Sequence, residues 1–347
     1  MSQVKKISYG VLFCLVLAMP AWFLGNAFPI IGGPVFGILL GMIIIMIFPH
    51  LQEKNLGPGI KYTSKKLLQY SIILLGFEMN LFNVIRVGGQ SLLVMIFTLT
   101  SAFLVAYFVG KALHLKGKMT ILIGVGTSIC GGSAIAATAP VIRAEDEDVA
   151  HAISTIFLFN IIAVFLFPPL GHFMGMSDIG FGMWAGTAIN DTSSVVAAGV
   201  SWSSAVGNNV ALEFATIVKL TRTLMIVPIT LVLAIFTSKQ MKKDNQQQND
   251  HGESVGAFQF SKVFPWFVLG FVATAIINTF AGLPLALSHN LVVLGKFIIV
   301  MAMVAIGLNT NLKKLVSNGY KPIFLGLCCW FSVSVVSLLV QHFMGQL

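Results

Sequence analysis

The chain has 347 residues, of which 56% are hydrophobic and 10% charged, and its mean hydropathy is +0.90. Soluble domains carry about a quarter charged residues, so this composition excludes a soluble globular protein and indicates an all-α polytopic membrane protein, one domain over 1–347. The net charge of +9 would suggest nucleic acid in a soluble chain. Here the placement of the charges explains it better, and no nucleic-acid partner is expected.

Apolar runs of roughly 20 residues give eleven hydrophobic segments: 7–25, 30–48, 67–85, 91–110, 119–142, 149–174, 181–200, 209–237, 263–281, 289–310 and 322–342. The first, behind Lys5 and Lys6, reads as an uncleaved helix rather than a signal peptide. Residues 239–262 are too polar to build a core and read as a flexible loop. Lysines cluster after segment two (Lys54, Lys61, Lys65, Lys66), after segment four (Lys111, Lys116, Lys118), around the long loop and before segment eleven (Lys313, Lys314, Lys321). The alternate connections carry almost none, with Arg86 the exception. By the positive-inside rule the N-terminus is cytoplasmic and the C-terminus external. The four cysteines (Cys14, Cys130, Cys328, Cys329) lie in apolar segments without metal-ligand spacing, as reduced packing residues do.

Two stretches repeat. LLGFEMNLFNVIRVG (74–88) resembles VAIGLNTNLKKLVSNG (304–319), one running outward and the other inward, as an inverted repeat requires. The second pair is GTSICGGS (126–133) and GTAINDTS (186–193), which share G-T-x-I-x-x-x-S. If both of these segments crossed fully they would run the same way, against inverted symmetry. Two re-entrant hairpins, one from each side, remove the conflict, with breaks at Cys130-Gly131-Gly132 and at Asn190-Asp191-Thr192. A pair of unwound helices crossing at mid-depth is the alternative.

Broken backbone at membrane depth is tolerated where it is buried in protein or lines a polar cavity. Each second half-helix offers free N–H groups and a partial positive charge. That makes Thr127, Ser128, Cys130, Gly131, Gly132, Ser133, Asn190, Asp191, Thr192 and Ser193 candidate substrate ligands. Small residues at such places also serve close helix packing. Lys219 and Arg222, three apart on one helix face, outnumber the central acids and read as further substrate ligands, against a structural pairing with Asp191. Glu78, Asn80, Asn309 and Asn311 form a coupling or supporting set, Lys296 is placed to snorkel or pair with Glu78, and Glu213 reads as interfacial. His151, His172, His289 and His342 stand near segment ends.

The run TSICGGSAIAATAPVIRAEDEDVAHAIS, with GMWAGTAINDTSSVVAAG and ALEFATIVKLTRTLMIVP after it, resembles the YeiH-like family of bacterial inner-membrane proteins, whose members carry a sulfate-exporter label. The likeness covers nearly the whole chain. Segments three to six are more distantly similar to the bile acid:sodium symporter and cation:proton antiporter superfamily. The resemblance implies a panel-plus-core carrier with an elevator-type motion, acting as a homodimer in the inner membrane on a small sulfur-containing anion. Relatives often place His before the acid at the second break, where this chain has Asn190. Without that imidazole proton coupling loses its titrating group, and Na+ coupling or facilitated diffusion stays open.

These readings give a secondary transporter of a small anion, with no resident cofactor and no metal ligands. The alternative is a sodium/proton antiporter using Asp191 and Glu78. No HExxH motif or Walker loop marks an enzyme or an ATP motor.

Overall fold

The computed structural model describes residues 3–29, 31–51, 56–248, 265–281, 283–310 and 319–346, and its regular structure is helical, with no strand among those residues. In chain order the helices are α1 (Gln3–Ala27), α2 (Gly33–Ile47), α3 (Gly57–Tyr62), α4 (Leu68–Leu75), α5 (Leu81–Ala112), α6 (Gly117–Ser128), α7 (Gly132–Thr138) and α8 (Asp146–Phe173). They continue as α9 (Asp178–Ala188), α10 (Thr192–Val206), α11 (Val210–Leu224), α12 (Ile226–Gln248), α13 (Trp266–Phe280), α14 (Leu285–Asn309) and α15 (Tyr320–Phe343).

Six stretches are long and apolar enough to cross a bilayer: Ile7–Ala27, Leu81–Ala112, Glu147–Phe173, Val210–Thr237, Leu285–Asn309 and Tyr320–Phe343. Gly33–Ile47 and Trp266–Phe280 are shorter apolar helices. The remaining expected segments, 67–85, 119–142 and 181–200, are each interrupted. The first was expected to be continuous. Instead, α4 tightens into a 3₁₀ turn at Gly76–Glu78, Met79 is extended, and the Asn80 side chain accepts from Phe82 N at 2.9 Å to cap α5. Helix α5 thus begins at Leu81 rather than 91, because the cap outweighs the polar Arg86 and Gln90 on its exposed first turns. The helix α12 runs on to Gln248, taking in the start of the expected 239–262 loop; residues 249–262 lie outside the described residues.

The first repeat is visible in how its two glycines pack. Gly76 closes α4 and Gly307 lies near the end of α14, and each carbonyl accepts from the residue three further on (Met79 N, 3.1 Å; Thr310 N, 3.0 Å). A side chain at Gly76 would strike Phe271 O of α13, and one at Gly307 would strike Ile38 O of α2. The Asn80 counterpart, Asn311, lies outside the described residues.

Both re-entrant candidates fold back on themselves. In hairpin A (α6 and α7) the entry and exit are tied together: Lys116 Nζ lies 2.9 Å from Glu145 Oε2, and Lys118 Nζ donates to Arg143 O at 2.7 Å. The hydrogen bond between Lys116 and Glu145 holds the carboxyl below its usual range and the amine above. In hairpin B (α9 and α10), Asp178 at the entry accepts from Trp202 Nε1 at 2.7 Å and from Asn208 Nδ2 at 2.9 Å near the exit. The mouth of hairpin B touches Glu78 through Asn209 Nδ2 (2.7 Å). Glu78 lies three residues before the start of α5, whose far end leads to hairpin A. The 32 residues of α5 span about 48 Å at 1.5 Å per residue. The hairpins therefore enter from opposite ends of the molecule.

Single cysteines at Glu145 and Ser177 should label from opposite faces of oriented vesicles, Glu145 from the cytoplasmic face by the lysine distribution. Labelling of both from one face would mean that one hairpin crosses fully.

Candidate functional site

The repeated G-T-x-I-x-x-x-S stretch does the same work in both hairpins. Its glycine packs: a side chain at Gly126 would meet Ile135 and Ile156 within 2.9 Å, and one at Gly186 would meet Val218 of α11 at 2.7 Å. Gly182, one turn before Gly186, faces Phe214 of the same helix at 2.7 Å. Close packing of small residues thus accounts for part of the motif.

The residues after that glycine end a helix, and the last carbonyls of a helix have no partner within it. Two side chains of α11 supply partners for both copies. Lys219 Nζ donates to Ile129 O at 2.8 Å and to the matching Ile189 O at 3.0 Å. Arg222 Nη2 donates to Thr127 O at 2.7 Å and Nη1 to the matching Thr187 O, while Nε reaches Ser128 O at 2.6 Å. Both cations are 0% exposed. Each cation thus has backbone partners of its own. Their donors face carbonyls at the negative ends of α6 and α9. Nor is Arg222 the ion-pair partner of Asp191: no carboxylate lies within 4.0 Å of either cation among the described residues.

The opposite side of each break is built differently. Gly131 has a φ of +68°, which only glycine adopts without strain, and turns the chain into α7. Asp191 caps α10, its Oδ2 accepting from Ser193 N at 3.1 Å and from the Ser193 hydroxyl. Asn160 of α8 holds the turn by accepting from Asp191 N at 3.2 Å. The two breaks meet here: a Cβ on Gly131 would lie 3.4 Å from Asp191 Cβ.

Within 180–203 every residue except Asp191 is buried. Asn190 is 1% exposed with neither amide atom hydrogen-bonded, and the buried Thr127 hydroxyl is also unpartnered. Burying an amide without partners costs several kcal/mol on transfer scales, so this group is available to a ligand. Hairpin A is open on one side. Ser133, Ala136 and Pro140 are exposed along one face, and no atom stands within 4 Å of where a Gly132 side chain would begin. Cys130, Thr192 and Ser193 are buried around the break.

The expected coupling residues lie elsewhere. Glu78 is at the mouth of hairpin B, where Asn209 sits between it and Lys296, which donates to Asn209 Oδ1. Asn80 caps α5, and Asn309 is exposed, donating to Ser64 Oγ at 3.4 Å. Asp191 and Glu78 are thus near opposite ends of α10, about 22 Å apart along its 15 residues. Among the described residues no group of three or more His, Cys, Asp or Glu could hold a metal ion. Sequence reasoning missed Asn160 and Asn209. The signal for Asn160 was an amide in the middle of an apolar helix; Asn209, in a polar turn, gave none.

Arg222→Gln should destabilise the fold by about 3 kcal/mol or more, since each buried carbonyl left unpaired costs about 1–3 kcal/mol. Adding Asp191→Asn should not restore the loss. Recovery of the melting temperature in the double variant would establish an Arg222–Asp191 pair instead.

The family model described as conserved hypothetical protein 698 matches residues 9–326. A UPF0324 membrane protein of Fusobacterium nucleatum is 47% identical over 353 residues, covering 97% of this chain and 98% of its own. One from Streptococcus pyogenes serotype M18 is 50% identical over 339 residues, 97% of each chain. Another from Streptococcus mutans is 46% identical over 344 residues, 98% of each. No solved structure matches. The chain is a multi-pass membrane protein that belongs to the conserved hypothetical protein 698 family, the UPF0324 membrane proteins, in keeping with its YeiH-like sequence.

Proposed function

We propose that the protein is a secondary transporter of a small anion bound where the two breaks meet. The observation that carries this reading is the charge of the meeting point. Two fully buried cations stand against one carboxylate, Asp191, beside an unpartnered Asn190 amide and the positive end of α10. A net positive interior at membrane depth is costly when empty, and an arriving anion offsets it. Lys219 and Arg222 act through their field, while Asn190, Thr192, Ser193 and the backbone at Gly132 and Ser133 make the contacts. The anion is a sulfur oxyanion or sulfonate, as the YeiH-like resemblance implies.

The reading extends to how the protein moves. The inverted pairs α4/α14 and hairpins A/B fit a panel and a core that slide past each other in the inner membrane, within a homodimer, with the N-terminus cytoplasmic and the C-terminus external. A carrier needs no catalytic residues or cofactor; Na+ or H+ supplies any coupling. The alternative antiporter has less support, because Glu78 is engaged with Asn209 far from Asp191.

The test is a calorimetric or thermal-shift screen of purified protein against small sulfur oxyanions, sulfonates and carboxylates, with and without sodium. Stabilisation by an anion supports the reading; stabilisation by sodium or protons alone would replace it. Gly132→Val should change stability by no more than about 1 kcal/mol, since open space surrounds the position, yet abolish uptake into proteoliposomes by covering the backbone. Unchanged uptake would place the substrate elsewhere.

A further inference from the structure

We infer that the site takes its substrate as a monoanion and discriminates against dianions. The inference rests on the anion-carrier reading above and adds the charge that the substrate must bear. The formal charges at the meeting point are Lys219, Arg222 and Asp191. Cys130 is a free, buried cysteine beside them. The ammonium of Lys219 is held between two converging carbonyls, Ile129 O at 2.8 Å and Ile189 O at 3.0 Å, whose dipoles offset part of the cost of burying its charge beside Arg222. The guanidinium is always charged in ordinary conditions. Helix ends add nothing net, since each hairpin contributes one carbonyl end and one N–H end to the same place, and these partial charges cancel.

The remaining charge is therefore +1, and one negative charge neutralises it. A dianion would leave −1 in a region where 180–203 is buried apart from Asp191, and its second charge would face the Asp191 carboxylate. The other nearby ionisable groups, Glu78, Glu213 and Lys296, belong to the half-buried set at the mouth of hairpin B. Glu213 lies six residues before Lys219, about 9 Å along α11, outside the meeting point.

The donors match a compact anion as well. Every side-chain nitrogen of Lys219 and Arg222 already donates to a carbonyl, so the direct contacts fall to other groups. With the unpaired Asn190 amide and Thr127 hydroxyl, the break keeps donors without partners. A polyprotic acid would accordingly be carried in its singly charged form, and its binding would weaken as pH rises through its last ionisation.

Asp191 is the residue that sets the balance, and asparagine replaces it without loss of the helix cap. Binding of methanesulfonate and nitrate, permanent monoanions, is compared with that of sulfate and thiosulfate, dianions, by calorimetry on the full-length protein and on Asp191→Asn. The native chain should bind a monoanion at least about tenfold more tightly than either dianion, and Asp191→Asn should shift that ratio toward dianions by about tenfold or more, the least expected of one unit charge at these distances. Equal or tighter dianion binding by the native chain, or an unchanged ratio in the variant, would overturn the inference while leaving the anion carrier standing. Binding of none of the four probes would remove the anion-carrier reading itself.

Discussion

The rest of the structure depends on five hydrogen bonds from two side chains of α11 to the ends of two broken helices. A helix that stops at membrane depth leaves carbonyls that water cannot reach. Here Arg222 forks between Thr127 and Thr187, matched residues of the two copies, while Lys219 bridges the equally matched Ile129 and Ile189. Desolvating two cations costs several kcal/mol each, and leaving five carbonyls unpaired is also costly. Each problem is the other's solution. Because both donors stand on one helix, one turn apart, the two breaks are held against each other as well as against α11. That meeting assembles Gly131, Asp191 and Asn160 on the other side.

The ties at the mouths of the hairpins are of a different kind. Lys116 and Glu145 are both well exposed, so water and salt screen the pair and it contributes little. The set of Glu78, Asn209 and Lys296 is half-buried and links hairpin B to α4 and α14. Strong, fully buried bonds fix the breaks to α11, and weaker, partly solvated ones join the hairpin mouths to their surroundings. A site held this way stays intact if the surroundings shift.

Much of this was legible in the sequence. The composition gave a helical membrane protein, and the paired G-T-x-I-x-x-x-S stretches located both breaks. What stayed hidden was the set of carbonyl partners of Lys219 and Arg222. A buried cation in a sequence looks the same whether its partner is a ligand, a carboxylate or a carbonyl, because backbone acceptors have no letter of their own. The same blindness hid Asn160, whose partner is the backbone N–H of Asp191. The start of α5 was misplaced for a related reason: capping by Asn80 is a short-range backbone event that a hydropathy window averages away.

The two copies differ where they need to. Aligned on the motif, Gly126, Thr127, Ile129 and Ser133 recur as Gly186, Thr187, Ile189 and Ser193, whereas Cys130, Gly131 and Gly132 face Asn190, Asp191 and Thr192. The recurring threonine and isoleucine are those whose carbonyls must meet the same two cations, so the scaffold requires likeness there. At the next positions the copies converge: Gly131 and Asp191 are matched residues, and their Cβ positions would stand 3.4 Å apart. Acids in both copies would set two carboxylates side by side, where like charges strongly disfavour joint ionisation. A side chain of any kind at Gly131 would also strain its positive φ. One copy can therefore carry the charge only if the other gives up its side chain. That leaves one acid against two cations, with an open backbone at Gly132 beside it.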